Sequence, residues 1–177
     1  MSQLEIEQLI KECLEPKRNA QKTLYQLFYG SAMSICLRYS NNRDEAAEIM
    51  NNGFAHVFTS LNAYDHQYPF KKWVGKFMVN ASIDYYRDDL KMVLAEDFNV
   101  VDQLIHDVYR DVKLNSDGLR AIIRQLHPGC RIIFNLFAIE GYSHEEIAKM
   151  LNINREVSEA NLYKARVQLH QLIGELN

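Results

Sequence analysis

The sequence has little of what would fix a chain through disulfide or metal chemistry. Its 177 residues include three cysteines, Cys13, Cys36 and Cys130, and no two of them form a CxxC pair. An odd number of scattered cysteines argues against a disulfide framework and a thiolate zinc site, and it favours a reducing compartment. We therefore expect a cytoplasmic location.

An excess of positive charge and a long apolar run are also missing. The 20 Lys and Arg residues stand against 23 Asp and Glu residues, for a net charge of −3. No global field attracts nucleic acid or anionic lipid, so a DNA-binding role has to be argued locally. The most apolar stretch, residues 132–139, is interrupted by Asn135 and is too short to span a bilayer. The first residues lack a basic segment followed by an apolar core, so we expect neither export nor membrane insertion.

Proline and glycine are scarce as well. Three prolines and seven glycines are too few for an all-β chain with many tight turns. The apolar share of 47% and the charged share of 24% are those of an ordinary soluble globular protein, and the length suits one or two domains. The composition therefore predicts an all-α protein.

Apolar residues recur at helical spacing through the first 90 residues. The stripes predict helices over residues 4–14 and 24–39, a third that begins near Asn42 or Asp44 and runs to residue 61, and a fourth over residues 70–88, with a loop at residues 62–68 between the last two. This half of the chain is predicted to be a compact helical bundle, domain 1–90.

The pattern then weakens over residues 91–115, where five acids outnumber three bases. We interpret this segment as a linker between domain 1–90 and domain 116–177.

The second half predicts a helix-turn-helix. One helix is expected from Asp117 to Leu126, and another begins at Pro128 and stops at Gly141. Ser143 and Glu146 have capping-box spacing at the start of a helix over residues 145–151. A tight turn over residues 152–154 leads into a long final helix with Ser158, Leu162, Ala165, Leu169 and Leu172 on one face.

Enzyme and metal motifs fail on inspection. His144-Glu145-Glu146 has the beginning of a zincin motif, but Ala148 stands where the second histidine ligand would be needed. The other histidines are isolated, and no Gly-rich phosphate loop is present in the sequence. We expect no metal, no cofactor and no enzymatic activity.

Two groups of motifs resemble bacterial RNA polymerase sigma factors of the extracytoplasmic-function type, in the sigma-70 family. The first group is Asp44-Glu45-Ala46-Ala47-Glu48-Ile49-Met50, Gly53-Phe54-x-x-Val57-Phe58, Phe70-x-x-Trp73 and Asn80-x-x-Ile83-Asp84-Tyr85-Tyr86-Arg87. The second group is Leu126-x-Pro128-x-x-Arg131-x-x-Phe134-x-Leu136, Glu140-Gly141-Tyr142-Ser143-x-x-Glu146-Ile147-Ala148 and Lys164-Ala165-Arg166-x-x-Leu169. Each fragment is weak alone, but both groups stand in the family's order at domain spacing.

The resemblance implies a function and a set of site residues. Domain 1–90 would be sigma domain 2, which binds core polymerase and the minus-ten element, and domain 116–177 would be sigma domain 4. Contact with the clamp helices of the polymerase's largest subunit would fall on Asp44, Glu45, Glu48, Asn51 and Asn52. Contact with the minus-ten element would fall on Tyr64, His66, Lys76, Asn80, Asp84 and Arg87. Contact with the minus-35 element would fall on Arg155, Ser158, Glu159, Asn161, Lys164 and Arg166. The implied partners are core polymerase, through its clamp helices and flap, promoter DNA, and an anti-sigma factor or other regulatory protein.

The sequence departs from the family pattern at two places. Asn51-Asn52 stands where Gln-Glu is usual, which removes one carboxylate from the core-binding surface. The first turns of the presumed recognition helix carry Glu156 and Glu159, and residues 116–177 hold seven bases and seven acids. Because non-specific DNA affinity grows with the number of phosphates neutralised, this domain alone is expected to bind duplex poorly.

Three hypotheses remain open at this point. The first is a sigma factor that directs initiation at a specific promoter set. The second is a degenerate sigma-like regulator whose C-terminal domain serves mainly as a protein docking surface with little sequence-specific DNA binding. The third is a helical enzyme with an unrecognised site, which the lack of a convergent polar set disfavours.

Overall fold

The computed structural model describes residues 3–15, 18–87 and 116–174, and every regular element in these ranges is helical. The chain divides into two compact units, one ending at Tyr85 and one beginning at Tyr86. The all-α prediction is confirmed. The predicted linker, residues 91–115, lies outside the described residues, so the predicted domain limits stay predictions.

The described residues of the first unit form a bundle of four α-helices. They are α1 (Gln3–Leu14), α2 (Arg18–Tyr39), α3 (Arg43–Ser60) and α4 (Phe70–Tyr85), and a 3₁₀ turn (Leu61–Ala63) follows α3. Asn42 caps α3, so the helix starts at the first of the two predicted positions. Helix α4 begins directly after Pro69, whose fixed φ suits a helix start, and it ends three residues before the predicted Asp88.

The core of the first unit combines aliphatic side chains with several aromatic rings. Phe28 and Phe70 meet edge to face with their ring centroids 5.2 Å apart, and Phe54 is 2% exposed. Burial of each such ring stabilises the fold by about 1.5–3 kcal/mol. Leu27 is an apolar residue of α2 that is 41% exposed, because the helix turns that position away from the core.

Glycine brings α3 close to α4. A Cβ at Gly53 would lie 2.8 Å from Sδ and Cε of Met78, so the missing side chain makes room for the methionine. Helices α3 and α4 carry exposed polar surfaces of this unit.

The second unit contains α5 (Ser116–Ile123), α6 (Pro128–Phe134), α7 (His144–Leu151) and α8 (Arg155–Gly174). Helix α5 begins before Asp117 and stops short of the predicted Leu126, since Gln125 and Leu126 close i→i+3 turns instead. The core of the second unit contains the residues Ile122, Ile123, Leu126, Cys130, Ala165 and Leu169.

Helix α6 continues into a π-helical segment (Asn135–Ile139) that the sequence pattern did not predict. Glu140 N–H bonds to the carbonyl of Asn135 at 3.0 Å, five residues back. Gly141 then ends the segment with φ of 81°, in the left-handed conformation expected of it.

The helix-turn-helix is present as predicted. The Ser143 hydroxyl accepts from the Glu146 amide, and the Glu146 carboxylate accepts from the Ser143 amide at 2.8 Å, which completes the capping box of α7. Asn152 ends α7 in the left-handed conformation, with φ of 55°. These two local devices fix the start and the end of α7, and the turn after Asn152 leads directly into α8.

Candidate functional site

The start of α3 is built by hydrogen bonds between neighbouring side chains. Asn42 Oδ1 accepts from the Glu45 amide at 2.9 Å. The Glu45 carboxylate accepts from the Asn41 amide at 2.9 Å and from Asn42 Nδ2 at 2.9 Å. Glu45 is therefore engaged in capping the helix, a structural role that is separate from the polymerase contact that the resemblance implies for it.

The remaining predicted residues of α3 form an exposed stripe. Asp44, Glu48 and Asn52 follow one another at intervals of four and are exposed, so they lie on one face. We call these three residues the α3 row. Asn51 is exposed beside it, and its Oδ1 accepts a 3.0 Å hydrogen bond from the hydroxyl of Tyr25 on α2. Nothing in the spacing of α2 indicated that Tyr25 would reach this surface.

A second exposed stripe runs along α4. Lys72, Lys76, Asn80 and Asp84 are exposed at intervals of four, and we call them the α4 row. Lys72 was missed in the sequence, although its spacing from Lys76 could have identified it. Arg87 is exposed but lies beyond the end of both α4 and the first unit.

The charges of the α4 row oppose the helix dipole. The first turn carries two lysines, Lys71 and Lys72, and no acid, and the last turn carries an aspartate and no base. A helix is stabilised by the opposite arrangement. Helix stability therefore does not account for these charges, whereas an anionic partner near the start of α4 would.

The aromatic residues before α4 divide into a buried and an exposed set. Tyr64 is 6% exposed, its hydroxyl donates to the Tyr68 carbonyl, and its ring centroid lies 4.9 Å from that of Phe70. It belongs to the packed interior, and the DNA contact that the resemblance implies for it stays a prediction. His66 packs edge-on against Tyr64 with an exposed side chain, and Tyr68 is 64% exposed.

Two of the predicted minus-35 residues are also buried. Ser158 has no exposed surface, and its hydroxyl lies 2.9 Å from Nδ1 of His144. Asn161 is 1% exposed, donates to the Val157 carbonyl at 3.0 Å and accepts a weak bond from Cys130 Sγ at 3.6 Å. Both side chains are hydrogen-bonded inside the unit, and the DNA contacts that the resemblance implies for them stay predictions.

Arg155 bridges the two helices of the helix-turn-helix. Its Nη1 lies 2.7 Å from Glu145 Oε1 on α7, and its Nε donates to Glu159 Oε1 at 2.7 Å along α8. All three side chains are about half exposed. The two carboxylates raise the pKa of Arg155, with the Glu159 hydrogen bond as the largest cause.

The other two predicted cations lie further along α8. Lys164 and Arg166 are half-buried, and Cζ of Arg166 stands 5.9 Å from the ring centroid of Phe137. The ring of His144 also stacks on Phe137, with the two ring centroids 4.6 Å apart. Burial lowers the pKa of His144.

The described residues contain no group of three or more His, Cys, Asp or Glu side chains that could hold a metal ion. Among these same residues, no helix is long and apolar enough to cross a membrane.

Comparison with known proteins identifies the family. The model for sigma-70 region 2 matches residues 24–91, and the model for sigma-70 region 4 matches residues 116–169. The chain belongs to the sigma-70 family. The matched ranges contain the α3 row, the α4 row and the Arg155 bridge, so all three lie in family regions of this sigma factor.

The curated relatives of this chain include a sigma factor of the extracytoplasmic-function type. The chain is 28% identical over 147 residues to the ECF RNA polymerase sigma factor SigE of Mycolicibacterium smegmatis, a match that covers 80% of this chain and 56% of that protein. It is 26% identical over 150 residues to the RNA polymerase sigma factor SigV of Bacillus subtilis, with 81% and 85% covered. The chain thus spans about half the length of the SigE relative and most of SigV.

A solved structure supports the fold of the sigma factor. The sigma factor RpoE of Bartonella quintana, in complex with the anti-sigma factor NepR, matches with a TM-score of 0.52 and 15% identity, covering 86% of this chain and 96% of that one. At this identity the likeness concerns the fold alone.

Proposed function

We propose that this sigma factor binds RNA polymerase core in the cytoplasm and directs transcription initiation at a restricted set of promoters. The observation that carries the proposal is the match to both family regions, in order, with the second extending into helix α8 as far as residue 169. This supports a working sigma factor over the degenerate regulator. The polymerase performs the chemistry, and the chain contributes binding and positioning.

Core polymerase is proposed to bind at the α3 row. Asp44 and Glu48 offer carboxylates for charge-assisted hydrogen bonds to a basic coiled coil, and Asn51 and Asn52 offer neutral amides beside them. Glu45 contributes indirectly, because it stabilises the start of the helix that carries the row.

The minus-ten element is proposed to lie along the α4 row. Lys72 and Lys76 suit the phosphate backbone, and Asn80 can hydrogen-bond to a base edge. Melting the duplex costs a few kcal/mol per unstacked base, which stacking surfaces offset. The exposed rings of His66 and Tyr68 precede the row in sequence and are the aromatic residues proposed to supply this stacking.

The minus-35 element is proposed to meet the exposed first turns of α8, where Arg155 and Glu159 are accessible. Arginine can bind a guanine edge, and a glutamate can accept from a cytosine amino group. Lys164 and Arg166 are half-buried and are proposed to make backbone contacts.

A protein regulator is proposed as a further partner, because the structural relative from Bartonella quintana was solved with an anti-sigma factor.

Run-off transcription with purified core polymerase and genomic fragments tests the proposal. We expect transcripts from a small set of fragments that share minus-ten and minus-35 sequences. Core binding without any promoter-dependent transcript would favour the degenerate regulator, and failure to bind core would refute the proposal as a whole. Footprinting on a selected fragment then shows whether the minus-35 segment is protected.

A further inference from the structure

The ion pair between Glu145 and Arg155 joins two elements that have different tasks. Glu145 lies in the first turn of α7, outside the helix proposed to face DNA, while Arg155 is the first residue of α8. The 2.7 Å contact crosses the turn of the helix-turn-helix. Glu145 was not among the residues expected to take part in recognition.

The guanidinium of Arg155 is held from two directions. Glu159 accepts from Nε, and Glu145 accepts from Nη1. A guanidinium has five N–H groups in a rigid plane, so two such bonds leave three donors for another ligand. A long side chain at a half-exposed position loses rotamer freedom on binding, and prior orientation reduces this entropic cost.

We infer that Glu145 is a positioning residue for minus-35 specificity: by pairing with Arg155 it presents the remaining guanidinium donors to a guanine edge in the major groove. The inference rests on the proposed reading of a minus-35 element by α8. Glu145 itself carries a negative charge close to the DNA, so it lowers non-specific phosphate attraction while it sharpens base discrimination.

The geometry separates this role from a general effect of charge. Glu156 stands in the same first turn of α8 and is exposed, but it is not a partner in either ion pair of Arg155. Glu145→Gln and Glu156→Gln therefore remove the same charge from the same region, and only the first removes an orienting contact. Glu145→Asp keeps the charge and shortens the reach by one methylene.

The test is promoter selection with full-length protein and core polymerase from fragments whose minus-35 segment is randomised. Arg155→Ala first identifies the base position that depends on Arg155. At that position we expect Glu145→Gln to lower base preference at least fivefold, Glu145→Asp to lower it to a similar extent, and Glu156→Gln to leave it within twofold of the original. Binding of the Glu145→Gln holoenzyme to a duplex without promoter sequence should not fall. Thermal unfolding of each variant controls for folding.

The outcomes distinguish failure of the inference about Glu145 from failure of the proposed DNA reading by α8. If Arg155→Ala abolishes a preference that Glu145→Gln and Glu145→Asp leave unchanged, Arg155 reads DNA without help from Glu145 and the inference is overturned. If Glu145→Gln increases the preference, the pair sequesters Arg155 instead, and the inference is again overturned. If the original protein shows no minus-35 preference, the proposed DNA reading by α8 fails, and the inference fails with it.

Discussion

Glu45 and Glu48 stand three residues apart on α3, but the structure gives them different tasks that mutation can separate. Glu45 accepts hydrogen bonds from Asn41 and Asn42 at the helix start, and Glu48 is exposed in the α3 row. Changing Glu48 to Lys should therefore weaken binding to core polymerase and leave the fold intact. Changing Glu45 to Ala should destabilise the first unit and affect core binding less.

The magnitudes follow from exposure. An exposed ion pair contributes about 0.2–1 kcal/mol, and reversing one charge replaces that attraction with a similar repulsion. The total of about 0.4–2 kcal/mol corresponds to a Kd for core that is about 2- to 30-fold higher. A surface change of this kind alters the free energy of unfolding by no more than about 0.5 kcal/mol. Loss of the cap at Glu45 should lower it by about 1 kcal/mol.

Two measurements check these values. Fluorescence anisotropy of labelled protein gives the Kd for core polymerase, and the gap between Glu48→Lys and the original protein should narrow as salt is added. Urea unfolding followed by the single tryptophan, Trp73, reports on the first unit. Glu5→Lys is the matched control, since it makes the same charge change at an exposed position on α1. An unchanged Kd for folded Glu48→Lys would refute the assignment of the α3 row.

Three further predictions concern the second unit. Hydrogen bonds from the Ser143 amide and hydroxyl lower the pKa of Glu146. Their stabilising effect is complete above the ordinary Glu146 pKa of 4.5 and is lost as the pH falls through the lower folded value. Ser143→Ala should flatten this dependence of the free energy of unfolding on acid pH, measured by urea unfolding followed by circular dichroism. Burial lowers the pKa of His144, so the neutral ring favours the fold above its ordinary pKa of 6.5 and stability should decline as the pH falls below it. His144→Gln should remove this decline. An unchanged pH profile of stability in that variant would exclude His144 as the origin of the decline. Glu159→Lys should strengthen non-specific duplex binding and steepen its dependence on salt by up to about one unit of log–log slope, measured by salt titration; a weaker affinity on random duplex would show that Glu159 does not oppose the phosphates.

Local devices were the most predictable part of the fold. The caps at Asn42 and Ser143 and the left-handed stop at Gly141 depend on residues within a few positions of one another, so spacing alone predicts them. The π-helical segment after α6 was not predicted, because an i→i+5 bond leaves no distinct mark in a short apolar run.

The candidate site was less predictable, because helical spacing shows which residues share a face of a helix but not how deeply each side chain is buried. Ser158 and Asn161 have polar side chains on the helix expected to face DNA, but bonds to His144 and Val157 satisfy them inside the unit. Tyr64 is likewise held by the Tyr68 carbonyl. Partners 4 to 14 residues away decide these cases, and residue type alone does not reveal them.

The charge balance of the second unit bears on how it works with the first. Residues 116–177 hold seven bases. Of these, Arg131 is 1% exposed, Arg155 is paired with two carboxylates, and Arg166 is half-buried beside Phe137. Few cations therefore remain for phosphates, and affinity for duplex DNA falls with each one removed. A domain that binds DNA weakly becomes effective when it is tethered, because a bound partner raises its effective concentration near the DNA site. In this sigma factor, contact between core polymerase and the α3 row would supply the tether, so weakening that contact by Glu48→Lys should reduce minus-35 protection even though the second unit is unchanged.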